Sequence, residues 1–126
     1  MPLTVKSLER SPCVFTLSLV GSLDSNTYQV LEGRVDNLIR EGEAKSINFD
    51  MAGVDYISSM GVRVIYKTLK DLRKREGHVT MMNLRPEIER VFRIVNALPS
   101  LQIFSSIQEL DDYLAEMQRQ TIHGKD

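Results

Sequence analysis

Residues 48–65, NFDMAGVDYISSMGVRVI, place two adjacent serines, Ser58 and Ser59, where a helical pattern begins. A serine there can cap the helix: its side-chain oxygen accepts a backbone N–H and stabilises by about 1 kcal/mol. That role asks for one serine, not two followed by Gly61. The same position suits an anion, because unpaired N–H groups and the positive end of the helix dipole meet there. A phosphoryl group carried on a serine would add about −1.5 to −2 charges. On residue types alone the cap is the simpler role, and phosphorylation is the sharper alternative.

Other reactive chemistry is scarce. His78 and His123 are the only histidines and Cys13 is the only cysteine, and their spacing fits no metal site. Asp111 and Asp112 are consecutive on a helical pattern, so their side chains diverge, and a solvated face accounts for them. No G-x-G-x-x-G or G-x-x-x-x-G-K-[ST] loop is present. A nucleophile elbow around Ser59 would need glycine at position 57, which is Ile57. The expectation is a protein without catalytic residues, cofactor or metal.

The whole chain sets the bounds. Its 126 residues suffice for one domain with a proper core, and 42% hydrophobic with 26% charged residues is ordinary for a soluble globular protein. Sixteen Lys and Arg against 17 Asp and Glu leave a net charge of −1, which gives no drive toward direct nucleic-acid binding. Against that small total, one phosphate is a large change. A lone cysteine permits no internal disulfide and fits a reducing, cytoplasmic setting. The opening MPLTVKSLER lacks the apolar stretch of a signal peptide, and no later stretch is long enough for a membrane span.

The elements that must position the serines follow from periodicity. Leu3–Leu8 and Cys13–Val20 read as strands joined by a hairpin at Ser11 and Pro12, with Cys13, Phe15, Leu17 and Leu19 on one face until Gly21 breaks the pattern. Asp24 to Thr27 offer N-caps for a helix carrying Tyr28, Leu31, Val35, Leu38 and Ile39, which stops at Gly42. Gly33 inside it implies a close contact. Lys45–Met51 alternates as a strand, and AGVDYI forms a loop into a helix over 59–76, with Val62, Ile65, Tyr66, Leu69 and Leu72 inward.

His78–Asn83 is an interior strand, which gives Met81 and Met82 a core-filling role. Pro86 opens a third helix with Ile88, Val91, Phe92 and Val95 inward. Leu101–Phe104 is a short last strand. Ser106 and Glu109 have capping-box spacing before a final helix with Ile107, Leu110, Leu114 and Met117 inward, and residues 121–126 read as a frayed tail. The order β-β-α-β-α-β-α-β-α describes an α/β fold: a single domain over 1–120 with a mixed sheet of about five strands, its C-terminal strands parallel.

Three stretches carry a family resemblance: LVGSLDSNTYQVLEGRVDNLI, INFDMAGVDYISSMGVRVIYKTLKDLRKREG and VTMMNLRPEIERVFRIVNALPSLQIFSSIQELDDYL. Together they resemble the STAS domain, specifically the small single-domain anti-sigma factor antagonists of bacteria, over roughly Leu3 to Leu114. Gly21, Leu23 and Asp24 match the family's G-x-L-D element. Ser58, Ser59 and Gly61 match its I-S-S-x-G form, with Ser58 standing where the D-S-S-G form has Asp.

The resemblance implies partner switching. The unphosphorylated antagonist binds an anti-sigma factor that is also a serine kinase of the histidine-kinase ATPase type. Phosphorylation of the helix-start serine ends binding, and a metal-dependent serine phosphatase resets it. By position the phosphoacceptor is Ser59, with Ser58 as runner-up. The implied partner surface combines Asp24, Asp50 at the end of the preceding strand, Ser58, Ser59, Met60, Gly61 and Arg63. Arg63 opens a basic run with Lys67, Lys70, Arg73, Lys74 and Arg75, which is a solvated face or a steering surface toward an acidic partner. Two other readings stay open: an unphosphorylated STAS subunit of a larger stress-sensing or transport assembly, and a small α/β enzyme or ligand binder.

Overall fold

In the computed structural model, residues 2–97 and 107–122 are described. A hairpin of β1 (Thr4–Ser11) and β2 (Val14–Leu23) opens the chain. Then follow α1 (Tyr28–Arg40), β3 (Ser46–Ile57), α2 (Ser59–Arg73), β4 (His78–Met82), α3 (Pro86–Ala97) and α4 (Ile107–Ile122). The described strands form one sheet in the order β1-β2-β3-β4. β1 runs antiparallel to β2, whereas β2, β3 and β4 are mutually parallel. This is the expected mixed α/β sheet with four strands described. The expected strand Leu101–Phe104 and Ser106 of the expected capping box lie outside the described residues.

The alternating residues build the centre. Leu17 on β2, Phe49 on β3 and Met81 on β4 stand in one register row. Leu17, Leu19, Ile47, Phe49 and Met51 are buried, and Leu31, Val35 and Leu38 of α1 complete the apolar layer with Val62, Val64, Ile65 and Leu72 of α2. Val64 and Thr68 join the inward face of α2, while Tyr66 and Leu69 are only half-buried.

Several expectations need correction. Cys13 is not on the strand face: it occupies the hairpin turn with φ 67°, and its carbonyl accepts the N–H groups of Lys45 and Ser46 at 2.8 and 3.1 Å. β2 does not stop at Gly21, nor β3 at Met51. Both continue, to Leu23 and Ile57, so AGVDYI is strand rather than loop.

The extension was hidden because the ladder shifts register between Ser18 and Val20 and again between Gly21 and Ser22. Bulges of this kind break the two-residue period, and the buried positions along β3 become Met51, Val54 and Ile57. Gly21 permits the irregularity with φ 122°, and a Cβ there would lie 2.2 Å from the Pro2 carbonyl oxygen.

β4 is the last of the described strands, with Met81 and Met82 half-buried rather than deep in the core. α4 continues through Ile122, so Thr121 and Ile122 are helical, not part of a frayed tail.

Gly33 makes no close contact. It is exposed on α1, and a Cβ there would meet nothing within 4 Å. Alanine is better in a helix interior by about 1 kcal/mol, so Gly33→Ala is expected to raise the melting temperature by roughly 3 °C. Thermal unfolding followed by circular dichroism checks this, and a lower midpoint refutes it.

Candidate functional site

The two central parallel strands finish side by side, with Leu23 paired to Ile57. At that junction Ser58 donates its N–H to the Leu23 carbonyl at 3.0 Å and accepts the Val62 N–H at 3.0 Å. The first interaction ends the ladder and the second begins α2. The serine pair therefore sits at the carboxyl end of the parallel strands, where open α/β sheets characteristically place their sites.

Ser58 has the extended backbone of an N-cap (φ −105°, ψ 178°), yet its side chain makes no capping bond. It is 4% exposed, and the hydroxyl oxygens of both Ser58 and Ser59 are buried without a partner among the described residues. The cap comes from elsewhere: Ser59 donates its N–H to Asp111 Oδ1 at 2.7 Å. Asp111 is thus not on a solvated face but seated at the start of α2, while its neighbour Asp112 is exposed and accepts a bond from Gln108. A carboxylate on the N–H groups of a helix start is the arrangement the dipole favours.

Gln118, one helical face further along α4, is 1% exposed and holds β3. Its Oε1 accepts the Ile57 N–H at 3.0 Å, and its Nε2 donates to the Ile57 carbonyl at 2.8 Å and to the Leu114 carbonyl at 3.1 Å. Neither Asp111 nor Gln118 was singled out from the sequence as part of this site. Their only advance signal is their placement on a helix that must pack somewhere.

Asp24 shapes the neighbouring turn. Its carboxylate accepts the Asn26 N–H at 2.9 Å and the Thr27 hydroxyl at 3.1 Å, and its carbonyl accepts the N–H groups of Thr27 and Tyr28. Such Asx geometry fixes a loop by its own backbone bonds. Alongside it, Ser22 donates to Asp55 at 2.7 Å. The Tyr56 phenol is pushed above its ordinary range, first by burial and then by the charges of Asp111, Asp24 and Asp112. Of those three carboxylates, Asp111 is the one bonded to the serine pair.

The remaining expected site residues separate. Met60 is half-buried and Arg63 exposed, one turn beyond Ser59. Gly61 is buried, and a Cβ there would stand 2.7 Å from Leu23 Cγ and from the Leu23 carbonyl oxygen, so it contributes shape rather than surface. Asp50 is not brought to the serines. It lies mid-strand, seven residues before the end of β3 and so roughly 20 Å along it, where it binds the Ala52 N–H and Asn83.

The basic run is partly structural: Arg75 donates to the carbonyls of Ile39 and Ala44, and Lys67 pairs with Glu32 at 3.5 Å. Arg63, Lys70, Arg73 and Lys74 are left on the exposed face. Among the described residues no helix is long and apolar enough to cross a membrane.

A hairpin feeding a parallel sheet, with a helix springing from a serine pair at the ends of the central strands, defines a class of small mixed-sheet α/β domain. The family model of the STAS domain matches residues 6–110, and the chain belongs to that family. A protein of Bordetella bronchiseptica provisionally named anti-sigma factor antagonist BtrV is 31% identical over 88 residues, 70% of this chain and 75% of that protein.

Among solved structures, the unphosphorylated anti-sigma factor antagonist SpoIIAA superposes with a TM-score of 0.63 at 18% identity, over 72% of this chain and 83% of its own. The Bacillus cell fate determinant SpoIIAA in phosphorylated form gives the same TM-score of 0.63 over 82% of its chain. An anti-sigma factor antagonist from Mycobacterium paratuberculosis matches with a TM-score of 0.62 at 21% identity, over 92% of this chain and 94% of that one.

Proposed function

We propose that this chain is an anti-sigma factor antagonist that acts by partner switching in the cytoplasm, without catalysis of its own. The observation that carries the reading is the serine pair: two hydroxyl oxygens buried at a helix start, neither used to cap it. Unsatisfied buried polar atoms lower stability, so packing gives no reason for serine at either position. The name of the Bordetella relative supports the role, and the existence of a phosphorylated SpoIIAA supports modification as its control.

In this reading the partner is an anti-sigma factor that is also a serine kinase of the histidine-kinase ATPase type. It contacts the start of α2 at Met60 and Arg63 together with the Asp24 turn. Phosphoryl transfer joins Ser59 Oγ to the γ-phosphorus of ATP. The bond from that phosphorus to the bridging oxygen breaks, ADP leaves, and the hydroxyl proton passes to a base on the kinase. A phosphatase of the metal-dependent serine class hydrolyses the ester. The added charge ends binding by repulsion and desolvation at a close-packed surface.

The test is binding to an anti-sigma factor kinase of the ATPase type from the same organism, with mass spectrometry after incubation with ATP. Ser59→Ala is expected to bind and to lose the phosphate. Ser59→Asp is expected to bind about 100-fold more weakly, which corresponds to about 2.7 kcal/mol. Phosphate that persists on Ser59→Ala moves the acceptor to Ser58. Equal binding by the Ala and Asp forms defeats the switch.

A further inference from the structure

We propose that α4 is a self-docked latch over the serine pair, and that a phosphate on Ser59 displaces Asp111 from the start of α2 and releases the helix. The second half rests on Ser59 being the phosphoacceptor, whereas the first half does not.

Several observations converge on residues 57–59. α4 holds the Ser59 N–H through Asp111 and both backbone groups of Ile57 through Gln118, so its polar anchors close on the end of β3 and the first residue of α2. At that junction both serine hydroxyl oxygens are buried without a partner among the described residues. In-line attack on phosphorus needs an approachable oxygen, and α4 must lift before a kinase can reach it.

The Asp111 carboxylate meanwhile holds the Ser59 N–H, at a helix start where a phosphate is also favoured. A phosphoserine dianion at position 59 would share that place with the Asp111 carboxylate. The two anions exclude each other, and the covalently held one stays. Among the side chains described on α4, Leu114 is the one buried apolar residue, while Gln108, Glu109, Asp112, Tyr113, Glu116 and Arg119 lie exposed.

Two measurements on the full chain test the latch. In a Cys13→Ser background, Ser59→Cys is expected to react slowly with a small maleimide, and adding Asp111→Ala should speed labelling at least tenfold. Hydrogen exchange should show α4 amides exchanging at least tenfold faster in Asp111→Ala and in the chain phosphorylated at Ser59, with the sheet unchanged. Asp111→Asn keeps a carbonyl acceptor, so it should stay closed while Ser59 is free and guards against a folding artefact.

Tyr56 supplies an independent signal: its ionisation, followed by ultraviolet absorbance, should move down toward the ordinary tyrosine range in Asp111→Ala. Unchanged labelling and exchange in Asp111→Ala overturn the latch, whatever the kinase does. Accelerated labelling with no phosphate found on Ser59 upholds the latch and overturns only its release by phosphate.

Discussion

Gly61→Ala is expected to lower the melting temperature by roughly 6 °C, although alanine is the better helix former. The helical gain is about 1 kcal/mol. Against it, the new Cβ would stand 2.7 Å from Leu23 Cγ, 2.7 Å from the Leu23 carbonyl oxygen and 2.8 Å from Ile57 Cγ1. Side chains can yield a few tenths of an ångström, but the Leu23 oxygen is backbone and already accepts the Ser58 N–H. Relief must come from moving the first turn of α2 away from the strand ends.

Overpacking of this kind costs roughly 3 kcal/mol, which leaves a net loss of about 2 kcal/mol after the helical gain, and for a chain of this size that is about 6 °C. The shift would also separate Ser59 from Asp111, so the α4 amides should exchange faster in the same variant. Gly33→Ala, at an exposed position of α1 with nothing within 4 Å of its Cβ, is the matched control with the opposite sign. A Gly61→Ala variant as stable as the parent would show that the close approach has no energetic weight.

What the sequence could and could not reveal follows the range of each interaction. Phe15, Leu17 and Leu19, then Ile47, Phe49 and Met51, alternate because each contacts the core from a regular pleat. Those segments were legible as strands, and the helix beginning at Ser59 was legible from the same kind of local count. The stretch from Ala52 to Ile57 was not, because the shifts in the β2–β3 register replace a period of two with one nearer three.

Gly33 and Gly61 look alike as letters in helical patterns, yet one faces solvent and the other touches two strand ends. Only the fold separates them. Asp111 reaches the Ser59 N–H across 52 positions and Gln118 reaches Ile57 across 61. No capping rule limited to four residues sees such partners. The serine pair was visible; what closes over it was not.

That closure yields the second large effect. Gln118→Leu keeps the size of the side chain and removes its polar end, leaving the Ile57 N–H and carbonyl without their α4 partners. Each buried backbone group left unpaired costs about 1–3 kcal/mol, so keeping the native arrangement would cost roughly 2–6 kcal/mol. The chain has a cheaper route. If α4 undocks, water satisfies Ile57 and the loss is limited to what holds the helix in place, including Leu114 and the Asp111 cap.

The expected result is therefore uneven. α4 loses nearly all exchange protection while β2 and β3 keep theirs, and global stability in denaturant falls by about 2–4 kcal/mol. Gln118→Glu should behave similarly, since a carboxylate still accepts from the Ile57 N–H but cannot donate to its carbonyl. Uniform loss of protection across sheet and helix would mean that α4 is an inseparable part of the core. Unchanged protection would mean that the Ile57 bonds have no weight. An α4 that opens by itself, ahead of the sheet, is what a helix docked through a carboxamide and a carboxylate should do.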